Sequence, residues 1–365
     1  MEESRAERSL RIAHRVVEVL DRGGKTQSYK YVTLLALMDV LVAATADGTV
    51  PTTLDARRIG ERVVEIYWRQ TRPLGDQLLR HSSQNGALLD RIAAFQQDHN
   101  QKWYADMATS TGALDGDAAR QWRQLKADAI SRVCRDPLPR LQVIGGDSDP
   151  FLYRVWEPGQ TGWAGVTGTA RQQLHLDADA AVALLDTHLL LRPLIERALL
   201  SFVLHRSPQT PKEGTVERIL FGVDRRALSR LTQPLKALNG NACFYCQAKG
   251  GHFQVDHFLP WSYTRDDGIH NLVPAHAQCN ASKSNRLAAV EHLNRWGGWL
   301  DHRADDLHEL ATNKRWPRDR PHTVGMARSL YLTPAAEDTP TWVAPLQFSP
   351  LVTAAARSVL DDITM

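Results

Sequence analysis

Residues 243–286 read CFYCQAKGGHFQVDHFLPWSYTRDDGIHNLVPAHAQCNASKSNR. Two pairs stand out in this stretch, Cys243-x-x-Cys246 and His276-x-x-Cys279. Each pair sets two soft ligands on one tight turn, and two such turns that meet complete a tetrahedral zinc site. Zinc has no redox chemistry and favours sulfur and imidazole, so a closed four-ligand site is structural. It replaces the hydrophobic core that a short segment cannot build. The other reading is of cysteines buried as small hydrophobes, which gives no reason for both pairs to sit at ligand spacing. The remaining cysteine, Cys134, stands alone at a helix end and reads as buried, not nucleophilic. Four cysteines in 365 residues are too few for a disulfide scaffold, which points to a reducing cytoplasm.

Between the pairs lies Val255-Asp256-His257-Phe258-Leu259-Pro260. Its apolar flanks predict a strand that presents Asp256 and His257 beside a packed ridge. Taken alone, the two residues read more readily as a core histidine with its aspartate partner. On a metal scaffold they suit a second metal and a general base, and phosphodiester hydrolysis needs both: a cation on the phosphate and a base for the attacking water.

The order Cys-x-x-Cys, Asp-His, Asn-Leu-Val, His-x-x-Cys-Asn-x-x-Lys resembles that of the HNH, or ββα-metal, nucleases in their zinc-containing branch. The resemblance spans about Leu238 to Leu287. It implies that Asp256 ligates a catalytic divalent cation, magnesium or manganese, and that His257 is the base that activates water. It further implies that Asn271 holds the histidine loop and so orients the imidazole, and that Asn280 is the second protein ligand to that cation. Cys243, Cys246, His276 and Cys279 would hold the structural zinc. The chain departs from the family in having Asn280 where many members have histidine, an HNN form of the motif. An amide oxygen still ligates a hard cation. His276 stands where cysteine is commoner, and zinc accepts either. His252 and His270 fall on no ligand position of the pattern and read as surface residues.

Charge adds modest support. Residues 205–300 hold 12 Lys/Arg and 7 Asp/Glu, a local +5 against +3 for the whole chain. Lys249, Lys283 and Arg286, with Arg225, Arg226 and Arg230, could meet phosphates without reading sequence, although a solvated face is the default for each. Trp261 and Tyr263 follow the Asp-His strand and could stack on bases, with core packing again the default.

The rest of the chain predicts an α-rich α+β protein: a helical N-terminal region, a small zinc-stabilised ββα-metal module and a short helical C-terminal region. Leu10, Ala13, Val16, Val17 and Leu20 form a helical stripe ended by Gly23 and Gly24. A second helix runs from about Tyr29 to Ala46, a short strand covers Thr49 to Thr53, and a third helix runs from about Leu54 to Pro73. Further helices are expected over Gln77–Gln97 and Asp115–Val133. From Pro137 to Gly168 the chain turns Gly/Pro-rich, with a strand near Phe151–Trp156. A helix bent at Pro193 follows over Ala178–His205, another over Arg225–Leu238, and helix returns after residue 286.

The expected domains are thus 1–136, a helical targeting or regulatory region of winged-helix-like or bundle form; 137–205, a junction; 206–300, the nuclease module; and 301–365, a helical tail. Hydrophobic residues at 43% and charged residues at 23% exclude a disordered or fibrous chain. The longest apolar run, Tyr31–Ala46, is broken by Asp39 and falls short of the roughly 18 residues that span a bilayer. Glu2, Glu3, Glu7 and Glu18 contradict a targeting peptide. Gly24-Lys25-Thr26 is no phosphate loop, because the required first glycine would fall at Val19.

The expected function is a metal-dependent endonuclease acting on double-stranded DNA, with RNA as the alternative substrate and with restriction or anti-phage defence as its setting. A homodimer or a defence-system partner would accompany it. The rival is a zinc-stabilised nucleic-acid-binding module without catalysis. It explains the zinc ligands but gives no reason for Asp256, His257, Asn271 and Asn280 to occur together.

Overall fold

The computed structural model describes residues 3–22, 27–71, 79–81, 86–100, 104, 116–148, 150–154, 173–207, 212–221, 228–333 and 336–364. Gly23, Gly24, Lys25, Thr26, Pro73, Gln77, Asp115, Arg225, Arg226 and the Gly/Pro-rich run 155–168 fall outside the described residues. The chain divides into two compact units, Met1–Ala44 with Val50–Gly222, and Thr45–Thr49 with Val223–Met365.

The first unit is built on helices α1 (Arg5–Arg22), α2 (Tyr29–Ala44), α3 (Ala56–Gln70), α4 (Ala87–Asp98) and α5 (Gly116–Arg135). A helical turn α6 (Pro137–Arg140) and helices α7 (Ala178–Asp186), α8 (His188–Arg206) and α9 (Glu213–Phe221) complete them. Small antiparallel sheets lie between, with β1 (Thr53–Asp55), β5 (Gln173–Leu176) and β4 (Tyr153–Arg154) in that order, and β2 (Val143–Ile144) paired with β3 (Asp147–Ser148). Helix α2 explains how the core closes. It is apolar all round and buried on every side, as a central helix should be. Its buried charge, Asp39, is 1% exposed and is neutralised inside the unit: it accepts hydrogen bonds from Arg192 and, at 2.8 Å, from Arg62 Nε. Arg192 in turn meets Glu196 at 3.2 Å.

Several local expectations shift. The inward face of α1 carries Ser9, Ile12, Val16, Val19 and Leu20, while Leu10 is 61% exposed. The turn has a polar cause: Ser9 Oγ donates to Asp186 Oδ2 at 3.1 Å, and Arg5 pairs with the same carboxylate. The first strand covers Thr53–Asp55, and of the helix expected over Gln77–Gln97 the described part is Ala87–Asp98. The long helix over 178–205 breaks at Thr187, not at Pro193. There the Thr187 hydroxyl bonds back to Ala183 O at 2.5 Å and closes α7, while its carbonyl accepts from Leu191 N at 2.9 Å and opens α8. Pro193 sits inside α8 without ending it. Cys134 is buried as expected, and burial pushes its thiol up to about 12.

The second unit opens with helix α10 (Thr232–Leu238), closed at Asn239 as the sequence suggests. Strands β6 (Phe253–His257) and β7 (Leu272–His276) then pair antiparallel, with Phe253 opposite His276 and His257 opposite Leu272. Between them lie the short helix α11 (Trp261–Thr264) and a 3-10 turn at Ile269–Asn271. Helix α12 (Ala277–Lys283) follows β7 directly, giving a ββα order. Helices α13 (Val290–His302), α14 (Ala304–Lys314) and α15 (Arg320–Tyr331) follow, then the hairpin β8 (Pro340–Ala344) and β9 (Gln347–Pro350), and α16 (Thr353–Asp361). The C-terminal stretch thus adds a hairpin to its expected helices.

Helix α13 presents His292, Leu293 and Trp296 inward on the expected face. Trp296 stacks on Phe258 with ring centroids 4.9 Å apart and planes 8° apart, and its Nε1 donates to His270 O at 2.9 Å. The ββα element is therefore backed by aromatic packing. Among the described residues no helix is long and apolar enough to cross a membrane.

Candidate functional site

Cys243 and Cys246 sit on a tight turn in which Gln247 N donates to Cys243 O at 3.0 Å and Cys243 N donates to Ala248 O at 2.9 Å. The chain returns to β6 through Gly250 and Gly251. At Gly251, φ is +73° and a Cβ would lie 3.3 Å from the His276 ring, so only glycine serves. His276 ends β7, and Cys279 lies in the first turn of α12. The ligand atoms of Cys243, Cys246, His276 and Cys279 all lie within 4.8 Å of one another. His276 Nδ1 is 3.3 Å from Cys246 Sγ, close to the roughly 3.5 Å that a tetrahedral zinc imposes on its ligands. Its Nε2 is 2.7 Å from Gly250 O, a bond that puts the proton on Nε2 and turns the Nδ1 lone pair toward the thiols.

The thiols are poised unequally. Burial, with Cys243 and Cys246 alongside, pushes Cys279 up to about 12. Burial also raises Cys246, but the Ala248 N–H and then Cys243, His276 and Cys279 outweigh it and hold that thiol below its usual value. Three thiols this close cannot all ionise without a cation among them. The donor set, its spacing and the His276–Gly250 bond fit a structural zinc.

Asp256 and His257 end β6. Asp256 is buried, and its Oδ2 accepts from Tyr245 Oη at 2.5 Å and meets Lys283 Nζ at 3.1 Å. Burial, then the Asp256 charge, holds the Tyr245 hydroxyl protonated far above its usual range. His257 Nε2 is 3.0 Å from Asp267 Oδ1, and both side chains are 12% exposed. A carboxylate only accepts, so Nε2 carries the proton and Nδ1 is the basic atom. Asn271 is fully buried and ties the turn after the strand to the loop before β7. Its Oδ1 accepts from Leu259 N at 2.8 Å, and its Nδ2 donates to Leu259 O at 3.1 Å and to Asp266 O at 3.0 Å. Asn280, on α12, donates from Nδ2 to Gln254 Oε1 at 2.9 Å, one strand repeat from Asp256. One hairpin and one helix thus carry Asp256, His257, Asn271 and Asn280 together.

Residues 244–289 match the family model of the HNH endonucleases. This segment is an HNH endonuclease module. No curated protein and no solved structure matches the chain.

The basic residues around the HNH module differ in exposure. Lys249, Arg230 and Arg286 lie on the surface, Arg286 with its guanidinium 5.3 Å from the Phe348 ring. Lys283 does not face a phosphate backbone. It is 0% exposed, and besides Asp256 it serves His257 O, to which its Nζ donates at 2.8 Å. Its helix is short, and the first turn after the zinc ligands points it at the β6 end. His252 is exposed as expected, but His270 is 9% exposed, and burial pushes its imidazole down to about 4. Trp261 is half-buried beneath Arg265, 4.2 Å from its ring, while Tyr263 is 37% exposed.

The residues that sequence reasoning missed are Tyr245, Asp267 and the inward role of Lys283. Tyr245 lies between the two cysteines and Asp267 in the acidic pair 266–267. Neither position carries a spacing rule, so only the fold reveals their partners.

Proposed function

We propose that the HNH module hydrolyses phosphodiester bonds in DNA with a magnesium or manganese ion held by Asp256 and Asn280. The observation that carries this reading is the pairing, at one strand end, of a buried carboxylate with an oriented imidazole beside the Asn280 helix. The donor set fits a hard cation. Tyr245 and Lys283 occupy Oδ2 of Asp256, so Oδ1 is the ligand atom on offer, and Gln254 takes the Asn280 nitrogen, so the amide oxygen faces away from that bond. The cation, when bound, supplies charge to the scissile phosphate and the departing oxygen. His257 takes the proton of the attacking water at Nδ1. Asn271 keeps the Leu259 turn, and with it the imidazole, from drifting. Lys249 and Arg286 contact phosphates on either side.

The helical unit supplies targeting or regulation, because a nuclease module of this size discriminates little by itself. Restriction or anti-phage defence in a reducing cytoplasm is the setting we infer, with a second copy or a partner cutting the opposite strand.

Purified protein incubated with supercoiled plasmid and magnesium or manganese is expected to nick or linearise it. EDTA is expected to stop the reaction, and His257→Ala to lower the rate by about 10²–10⁴-fold. Cleavage surviving in His257→Ala would remove His257 as the base. Retarded migration of intact plasmid under all conditions would favour the non-catalytic binding module, and cleavage of RNA alone would move the substrate assignment.

A further inference from the structure

We propose that Asp267 is the positioning residue for His257, fixing the Nε2–H form of its imidazole, and that residues beyond the HNH match brace it there. The catalytic meaning rests on the nuclease reading above; the orientation does not. His257 is the last residue of its strand, where the ring could turn either nitrogen outward. Free imidazole places its proton on either nitrogen at little cost, so the partner decides. Here the partner is a carboxylate oxygen at 3.0 Å, with both groups largely withdrawn from water. It can accept only from a proton-bearing nitrogen, so in the neutral ring the proton sits on Nε2 and Nδ1 is the basic atom.

The two neighbouring aspartates divide the work. Asp266 is spent on the loop itself. Its Oδ1 accepts from Gly268 N at 2.7 Å, its Oδ2 from Thr323 Oγ1 at 2.7 Å, and its carbonyl from Asn271. A Cβ at residue 268 would stand 2.8 Å from Asp266 Oδ1, so any larger residue there would push the Asp266 carboxylate aside. Asp267, on the same turn, brings its Oδ1 to the histidine. Its backbone is clamped, since Trp316 Nε1 donates to Asp267 O at 2.7 Å and Ile269 N donates to Pro317 O at 2.9 Å. Trp316, Pro317 and Thr323 lie outside residues 244–289. The family segment therefore supplies the imidazole and the carboxylate, and the connection between α14 and α15, with the first turn of α15, supplies the bracing that keeps the two at bonding distance.

The test is Asp267→Asn in the full chain, which keeps the shape and removes the charge. Histidine-labelled protein, loaded with zinc but given no magnesium, is read by ¹⁵N NMR, with His257→Ala identifying the His257 signals. The wild type is expected to show a protonated-type Nε2 and an unprotonated-type Nδ1, and Asp267→Asn to average or reverse them. In plasmid cleavage, kcat is expected to fall roughly 10²–10⁴-fold while KM stays within about threefold. Zinc content and unfolding midpoint act as fold controls.

Trp316→Phe, which removes only the anchoring N–H, is expected to move both readouts the same way by a smaller factor. It takes over if Asp267→Asn does not fold. Unchanged His257 nitrogen signals in a folded variant overturn the proposal, as does kcat within about threefold of wild type. A shifted pattern with no cleavage by any form, wild type included, supports the positioning of His257 and defeats the nuclease reading instead.

Discussion

The helical unit and the ββα element of this chain are stabilised by different means. In the helical unit, side chains such as Val32, Leu37, Val63, Trp68, Ile92 and Val133 pack into one apolar cluster, and the Asp39–Arg62–Arg192–Glu196 network is a polar insertion within it. In the HNH unit, the two five-residue strands and seven-residue helix of the ββα element are too small to enclose a core of their own. The unit's apolar core lies among the helices that follow, with Leu293, Leu300, Val324 and Leu360 fully buried. The ββα element is tied by the Cys/His ligand group, by Asn271 and by the Tyr245–Asp256–Lys283 contacts, with aromatic rings as backing. Apolar burial is indifferent to direction, whereas ligand bonds and hydrogen bonds fix it. The element that must aim functional groups uses the directional kind.

The largest effect should come from the zinc group. Cys243→Ser, or a strong chelator, is expected to remove on the order of 10 kcal/mol from the HNH unit while sparing the helical one. Limited proteolysis with mass spectrometry would show cuts confined to 223–365. Equal sensitivity of residues 5–221 would break the contrast between the units.

A matched pair of substitutions sharpens it. Lys283→Met strands the buried Asp256 carboxylate and is expected to cost about 3–5 kcal/mol in denaturant unfolding. Asp39→Asn leaves Arg192 paired with Glu196 and Arg62 with Glu65 and is expected to cost less. Asp256→Asn added to Lys283→Met should recover part of the loss, because the orphaned carboxylate is gone. A Lys283→Met cost under about 1 kcal/mol, with no recovery, would mean that the Asp256 site is not held by charge.

The smallest effect concerns acid. Burial depresses His270 in the HNH unit to about 4, against an ordinary value of 6.5. The unfolded chain then binds a proton that the folded one refuses, so this stability is present above pH 6.5 and is lost as pH falls toward 4. The loss is roughly 3 kcal/mol. His270→Leu should flatten the HNH unit's response over that window. In the helical unit His81, depressed by burial to about 3, should keep its own slope.

How much of this was legible in the sequence follows from the same contrast. Metal-ligand chemistry imposes spacing on the chain, so Cys243, Cys246, His276 and Cys279 could be read directly, and Asp256, His257, Asn271 and Asn280 followed from motif order. Helices α2 and α13 were legible because their apolar patterns admit one packing. The face of α1 was not, since it depends on Ser9 meeting an aspartate 177 residues away. Lys283 looked like a surface cation for the same reason: a lysine's role depends on what it faces, and the Asp256 carboxylate it meets comes from another strand. Asp267 sits in an unremarkable acidic pair, and its assignment needs the turn, the Trp316 anchor and the strand end at once.

The register of β6 against β7 has a mechanical meaning. Phe253 pairs with His276 at one end and His257 with Leu272 at the other, so the ligand group grips the hairpin at the end opposite the Asp256–His257 pair. A slip of one residue along that ladder would exchange the two faces, sending His257 where Asp256 now meets Tyr245 and Lys283. The cysteines and His276 thus act as a locating pin: with one end of the ladder fixed, the other end has one setting.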